Sequence, residues 1–242
     1  MMIDGLPYRQ VGEIRRGAIV CVADHASNHV PEDIQLGIAP ELLDQHIAVD
    51  IGAEGIAGRL ARRHNVPAHI ATASRLVCDL NREESDPNVV PMSSDGHTIA
   101  GNIGADVEAR LDRFHRPYHA ALEQWLDDIQ PKLIVALHSF TPRLSTSPET
   151  RPWECGLLYN EDDRAARHAI RLFSELGLNV GDNEPYSGRH LNATMDRHAE
   201  AKGRHYIALE VRQDLVATRA EQSRWAAMIA DVAGRVALAL DV

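Results

Sequence analysis

Two apolar runs each deliver a histidine. In PKLIVALHSFTP, residues 131–142, Leu133 to Leu137 are apolar without a break, and His138 and Ser139 follow. AIVCVADHASN repeats the arrangement near the N-terminus: Ala18 to Ala23 is apolar, then come Asp24, His25, Ala26, Ser27 and Asn28. Neutral imidazole is a common zinc ligand in mixed nitrogen and oxygen sites. A strand-end histidine can equally bond a nearby carbonyl, so both readings stay open. Asp50 lies on an apolar stripe, at helical spacing from His46, Ala53 and Ala57. A carboxylate buried there needs a core arginine, a capping donor or a metal, because burying it bare is costly. Glu210, in HYIALEVRQDL, stands near the end of another apolar run, with Arg212 and Asp214 behind it. It is either half of an ion pair with Arg212 at the sheet edge or a general base working beside a metal-bound water. ASRLVCDLNRE packs Arg75, Asp79, Asn81 and Arg82 into eight residues around an apolar centre. The planar fork of arginine suits a carboxylate, and Asp79 can hold one guanidinium in place. A strand edge with solvated charges is the plainer alternative.

Other candidates are weaker. His115 and His119 are four apart on a helix, but Pro117 lies between them and no glutamate stands where a metalloprotease needs one. Ser139 lacks the Gly-x-Ser-x-Gly elbow of a serine nucleophile. No glycine-bearing stretch forms a phosphate loop. NEPYSGRH carries Tyr186 and Arg189 and either lines a pocket or crosses the surface.

The positioning elements follow from periodicity. The pattern predicts strands over about 18–23, 67–72, 76–80, 131–138, 156–159 and 205–211. It predicts helices over about 40–64, 103–129, 162–176, 192–202 and 213–240. Two long polar segments, 83–104 and 141–152, are read as functional loops. Strands alternating with helices predict a single α/β domain over residues 1–242, with a mixed, mostly parallel sheet covered by helices on both faces. Ligands bind such sheets beyond the carboxyl ends of the strands, where His25 and His138 stand.

Composition narrows the function. A formal charge of -10 argues against a nucleic-acid binder, whose footprint is usually basic. It also means that an anionic substrate needs a local cluster of arginines. Three cysteines, Cys21, Cys78 and Cys155, show no metal spacing and read as buried hydrophobes in a reducing compartment. No signal peptide is visible, and no apolar run approaches the roughly 18 residues of a membrane span. The expectation is a soluble, cytoplasmic protein with no membrane partner.

Together DHASNHVP, SRLVCDLNR, HSFTP, GLLYN, EPYS and LEVRQDL resemble the N-formylglutamate amidohydrolase family, over about residues 18–225. The resemblance implies a fold like that of the zinc carboxypeptidases and aspartoacylase (phosphorylase/hydrolase-like), with one zinc per chain. It implies His25 and His138 as zinc ligands and Glu210 as the base. DLNR recurs in aspartoacylase-like enzymes, which implies that Asn81 and Arg82 grip a substrate carboxylate while Arg75 polarises the scissile carbonyl. Arg143 or Arg212 is then available to a second carboxylate. The sequence departs from the His-x-x-Glu pattern of the carboxypeptidases, because the fourth residue is Asn28. Either Asn28 ligates weakly or another carboxylate fills the position, and Asp50 is the candidate. The expected activity is metal-dependent removal of a small N-acyl group, such as formyl, from an acidic amino acid. The rivals are a deacylase of another N-acyl amino acid, a small carboxypeptidase and a non-catalytic acyl-amino-acid binder, which the Asn28 departure favours.

Overall fold

Eight consecutive buried residues, Leu133–Phe140, build strand β6, the centre of a seven-stranded sheet. The computed structural model describes residues 5–241. Strands β1 (Tyr8–Val11), β2 (Ile19–Ala23), β3 (Ala68–Ala71), β7 (Cys155–Leu158), β8 (Val180–Asp182) and β9 (Tyr206–Arg212) complete the sheet, in the order β1-β3-β2-β6-β9-β7-β8. The pairs β3–β2, β2–β6, β6–β9 and β7–β8 are parallel, while β1–β3 and β7–β9 are antiparallel. A separate hairpin pairs β4 (Ser93–Ser94) with β5 (His97–Thr98). The chain runs from β2 outward to β3, then returns to place β6 on the other side of β2. The sheet therefore switches direction between β2 and β6, where open α/β sheets place their ligands.

Alternation along the central strands splits the core in two. Cys21, Val135, Leu137, Ile207 and Leu209 pack with helices α1 (Ala53–Arg63), α4 (Arg164–Glu175) and α6 (Arg219–Leu240). Val20, Ile134, Ala136, Tyr206 and Ala208 pack on the opposite face, against α3 (Arg116–Ile129) and Met195 of α5 (Ala193–His198). The α/β class and the mixed, mostly parallel sheet expected from the sequence are both present.

Several local expectations need correction. The single helix over 40–64 is instead a 3-10 turn, Pro40–Asp44, a turn, and then α1 from Ala53. Gly52 breaks it, with φ +85 and its Cα pressed on Val216; an added Cβ would lie 2.6 Å from the Val216 carbonyl. Asp50 therefore sits in a turn before α1, not on a helical stripe. Residues 76–80 are not a strand, although Leu76, Val77, Cys78 and Leu80 are all buried. Side chains replace the missing ladder: Asn102 donates to the Leu76 carbonyl, Arg110 to that of Val77 and Thr194 to that of Leu80. The helix expected over 103–129 is broken into α2 (Val107–Arg110), a π turn (Leu111–His115) and α3. Pro117 has no N–H to give the preceding turn, and the π turn absorbs the defect. The last helix starts later than expected, at Arg219, behind a capping box of Thr218 and Glu221.

Candidate active site

Register places the first two groups. His138 of β6 pairs with Glu210 of β9 across a parallel ladder, so both side chains leave the same face of the sheet at its carboxyl end. His25 follows β2, the neighbour of β6 on the other side. The turn before α1 brings in Asp50, whose backbone N–H donates to the His25 carbonyl at 2.9 Å. His25, Asp50, His138 and Glu210 are all buried.

These groups converge. Nδ1 of His138 is 3.0 Å from Oδ2 of Asp50, and Nδ1 of His25 is 3.6 Å from the same oxygen. Ser139 donates its backbone N–H to that oxygen at 3.3 Å. Nε2 of His25 is 2.7 Å from Oδ1 of Asp79. A carboxylate only accepts, so Nε2 carries the proton, and the second ring nitrogen, Nδ1, is buried without a hydrogen-bond partner. Oε2 of Glu210 is likewise buried without a partner. One ligand atom from each of His25, Asp50 and His138 lies within 4.8 Å of the other two. Two imidazoles and one carboxylate form a donor set that suits zinc, and the Asp79–His25 contact is the usual support behind a ligating histidine. The unpaired nitrogen of His25 and this donor set fit a metal ion. Asn28 does not join them: it is exposed and donates to Asp44 at 2.8 Å.

Charge points the same way. Burial and the Arg75 guanidinium disfavour a proton on His25, but the carboxylates of Asp79 and Asp50 outweigh them and push its pKa up to about 9. A site that draws a proton this strongly into a buried imidazole draws a metal cation by the same field. Burial raises the Glu210 carboxyl to about 7, with Asp50 adding to the shift and His138, Arg75 and His25 opposing it. That suits a base working near neutrality.

The opposite wall is cationic. Arg75 donates to Oδ2 of Asp79 through Nε at 3.2 Å and Nη2 at 2.8 Å, and its Nη1 lies 3.4 Å from Asp50. So the arginine proposed as an alternative partner for Asp50 is present beside the histidines. Arg82 makes a 3.3 Å contact with Asp86. Arg75, Asn81, Arg82, Tyr186 and Glu210 line one cavity of about 270 Å³ with His25, Asp50 and His138. Arg143 and Arg212 do not line it. Arg143 is exposed on the 141–152 segment, while Arg212 pairs with Asp214 at 2.8 Å and donates to the carbonyls of Pro152 and Trp153. Arg212 therefore forms no ion pair with Glu210, whose carboxylate is left to the cavity.

A profile described as "N-formylglutamate amidohydrolase" matches residues 17–217. The chain belongs to the N-formylglutamate amidohydrolase family. Family membership makes it an amidohydrolase, an enzyme that hydrolyses amides. The structure of gene product Atu2144 from Agrobacterium tumefaciens is similar at 26% identity and a TM-score of 0.93, over 100% of this chain and 99% of that one. An N-formylglutamate amidohydrolase from Ralstonia eutropha JMP134 shares the fold at 23% identity and a TM-score of 0.70, over 96% of this chain and 97% of that one. No curated protein matches the sequence. No helix of the described residues is long and apolar enough to cross a membrane.

Sequence reasoning missed part of this amidohydrolase's cavity. His46, Asp95 and Thr146 also line it. Asp95 sits at the tip of the β4–β5 hairpin and accepts hydrogen bonds from both the backbone and the hydroxyl groups of Ser145 and Thr146. Nε2 of His46 lies 3.0 Å from the same carboxylate. The Asp95–Gly96 dipeptide was the available signal, since Asp-Gly marks a tight hairpin.

Proposed function

We propose that this amidohydrolase is zinc-dependent and removes a small N-acyl group, formyl in the first instance, from an acidic amino acid. The observation that carries the reading is the cavity itself: a buried His25–Asp50–His138 group with Glu210 in register beside it, facing Arg75, Asn81 and Arg82. His25, Asp50 and His138 would hold the metal. Zinc bound there supplies a Lewis acid toward water and toward a carbonyl oxygen. Glu210 takes the proton of the attacking water and passes it to the leaving nitrogen, as its raised pKa allows. Water adds to the acyl carbon, the C–N bond breaks, and formate and the free amino acid leave. Arg75, braced by Asp79, donates toward the oxygen on which negative charge develops. Arg82 and Asn81 take the carboxylate of the amino acid. The family name and the fold shared with the Ralstonia eutropha enzyme support formylglutamate as the starting substrate.

The test is a panel of N-formyl, N-acetyl and N-succinyl derivatives of Asp, Glu and Gln on zinc-loaded protein, with metal content measured in parallel. The expectation is one zinc per chain and preferred turnover of the formyl acidic amino acids. His138→Ala loses metal and activity together. Full zinc occupancy in His138→Ala, or the same turnover in stripped and loaded protein, overturns the reading. Asp50→Asn that keeps its zinc while Asn28→Ala loses it transfers the third ligand to Asn28.

A further inference from the structure

Three buried imidazoles lie behind the cationic wall, outside the metal-binding group and unused by the mechanism. His119 and His115, on α3 and the π turn before it, each point Nε2 at a carbonyl of the Leu80–Arg82 segment: His119 at Leu80 and His115 at Arg82, both at 2.9 Å. A carbonyl only accepts, so both Nε2 atoms carry protons. Nδ1 of His119 is then a lone pair, and it lies 2.8 Å from Nε2 of His198, which must donate to it. The His119 and His198 rings stack at 5.1 Å with 10° between their planes. The remaining nitrogens, Nδ1 of His198 and Nδ1 of His115, are buried and have no hydrogen-bond partner. With those two nitrogens left bare, a single arrangement of protons satisfies the three contacts and keeps all three rings neutral.

The segment they hold, Leu80–Arg82, continues the 76–80 run that forms no strand. Thr194 of α5 adds two contacts: its hydroxyl donates to the Leu80 carbonyl at 3.2 Å, and its backbone N–H donates to Oδ1 of Asn81 at 3.0 Å. The second contact orients the Asn81 amide. With Oδ1 engaged by α5, Nδ2 is the Asn81 atom left to face the cavity, so the residue presents a donor and not an acceptor. We propose that His119, supported by His198 and Thr194, is a positioning residue that sets the Leu80–Arg82 segment so that Asn81 Nδ2 and the Arg82 guanidinium meet the substrate carboxylate. The proposal rests on the reading of Asn81 and Arg82 as carboxylate-binding residues. Misplacement of either donor weakens substrate binding, whereas Glu210 and His138 are carried by the central strands β9 and β6.

The experiment compares His119→Leu, His119→Gln and Leu122→Ala as zinc-loaded full chains. Glutamine can still donate from the position of Nε2. Leu122 is buried one turn along the same helix, so its truncation is a control for general destabilisation. His119→Leu is expected to raise KM for the N-formyl acidic amino acid about tenfold, with kcat within about threefold, and His119→Gln to recover most of the loss. Leu122→Ala lowers Tm without moving KM. Hydrogen exchange over residues 79–90, read without substrate, is expected to accelerate in His119→Leu and not in Leu122→Ala. Exchange that stays slow in His119→Leu, or a KM equally raised in Leu122→Ala, overturns the proposal. If the wild type does not turn the substrate over, the functional reading fails, while the exchange comparison still decides whether His119 holds the segment.

Discussion

Glu210 suits the proposed role of base because an apolar strand carries it into a buried site beside another acid, Asp50. Glu210→Gln is nearly isosteric, so it is expected to fold and to keep its zinc. Its kcat should fall by about 10²- to 10⁴-fold, the usual contribution of general-base catalysis. A loss below about tenfold would show that the proton goes elsewhere. Arg82 permits a sharper test, because its proposed role is to read charge. Removing one partner of a buried charge pair costs on the order of 2–5 kcal/mol. So Arg82→Ala should lower kcat/KM for the carboxylate substrate by roughly 30- to several-thousand-fold, at about 1.4 kcal/mol per tenfold. A substrate with a neutral amide in place of that carboxylate should react poorly with the wild type and lose little more in the variant. Undiminished discrimination in Arg82→Ala removes the residue from carboxylate binding. At this scale the sequence was informative wherever a polar group interrupted an apolar run: His25, His138 and Glu210 were visible for that reason. Asp50 was visible through a helical stripe that does not exist, and its burial, not its helix, was the correct part of the inference. Arg143 and Arg212 were not legible, because closeness to a strand end does not say which way a long side chain turns.

Elements rather than residues decide what surrounds the chemistry. The centre of the sheet could be read from β6 and β9, whose apolar runs are long enough to exclude most alternatives. Residues 76–80 could not, since a buried segment satisfied by distant side chains has the same apolar signature as a strand. The helix over 40–64 failed at Gly52, where a left-handed backbone and the close approach of Val216 both call for glycine. The closure of the cavity was equally hidden, for it depends on a contact between two loops. Asp95 of the β4–β5 hairpin holds Ser145 and Thr146 and is itself only 3% exposed at its side chain. Those donors hold its carboxyl well below its ordinary pKa even though its burial acts the other way. Asp95→Ala should release the 141–152 segment, exposing the Arg143–Leu144 bond to trypsin, while Arg151 is shielded by the proline that follows it. Limited proteolysis should therefore show one new early cut in the variant, with KM raised because Thr146 and Leu144 no longer close the cavity. Identical cleavage kinetics in wild type and variant would mean that the loop is held by other contacts.

The whole molecule is acidic, yet several of its buried histidines resist protonation, and that shapes its stability toward acid. Burial pulls His69 down to about 3 and His198 to about 4, and it holds His119 well below the usual value, with neighbouring cations adding to the effect. His69 shows why. It takes a hydrogen bond at Nδ1 from Gln10 at 3.3 Å, stacks on Tyr8 and meets Tyr118 edge-on, so a second proton would find no carboxylate. In the unfolded chain these rings titrate near pH 6.5. Between that value and about pH 4, the unfolded state binds protons that the native state refuses. Their stabilising contribution is therefore complete above pH 6.5 and is lost as the pH falls toward the native values. Each group contributes up to about 1.4 kcal/mol per pH unit, so the three together approach about 4 kcal/mol per unit. That is large against a typical total of about 5–15 kcal/mol. His25 and His138 behave in the opposite sense in metal-free protein. Despite burial, their carboxylate neighbours raise both, so their contribution is complete below pH 6.5 and fades as the pH rises. They do not titrate in the acid window, whereas Glu210, raised to about 7, holds there a proton that the unfolded chain releases, and it offsets about one of the three histidines. Urea unfolding of metal-free protein at pH 6.5, 5.5 and 4.5 should show a steep monotonic loss of stability. His69→Gln should reduce that slope by up to about 1.4 kcal/mol per pH unit, because one proton fewer is taken up on unfolding. A stability that is flat or rising toward pH 4.5 would show that the interior accepts these charges.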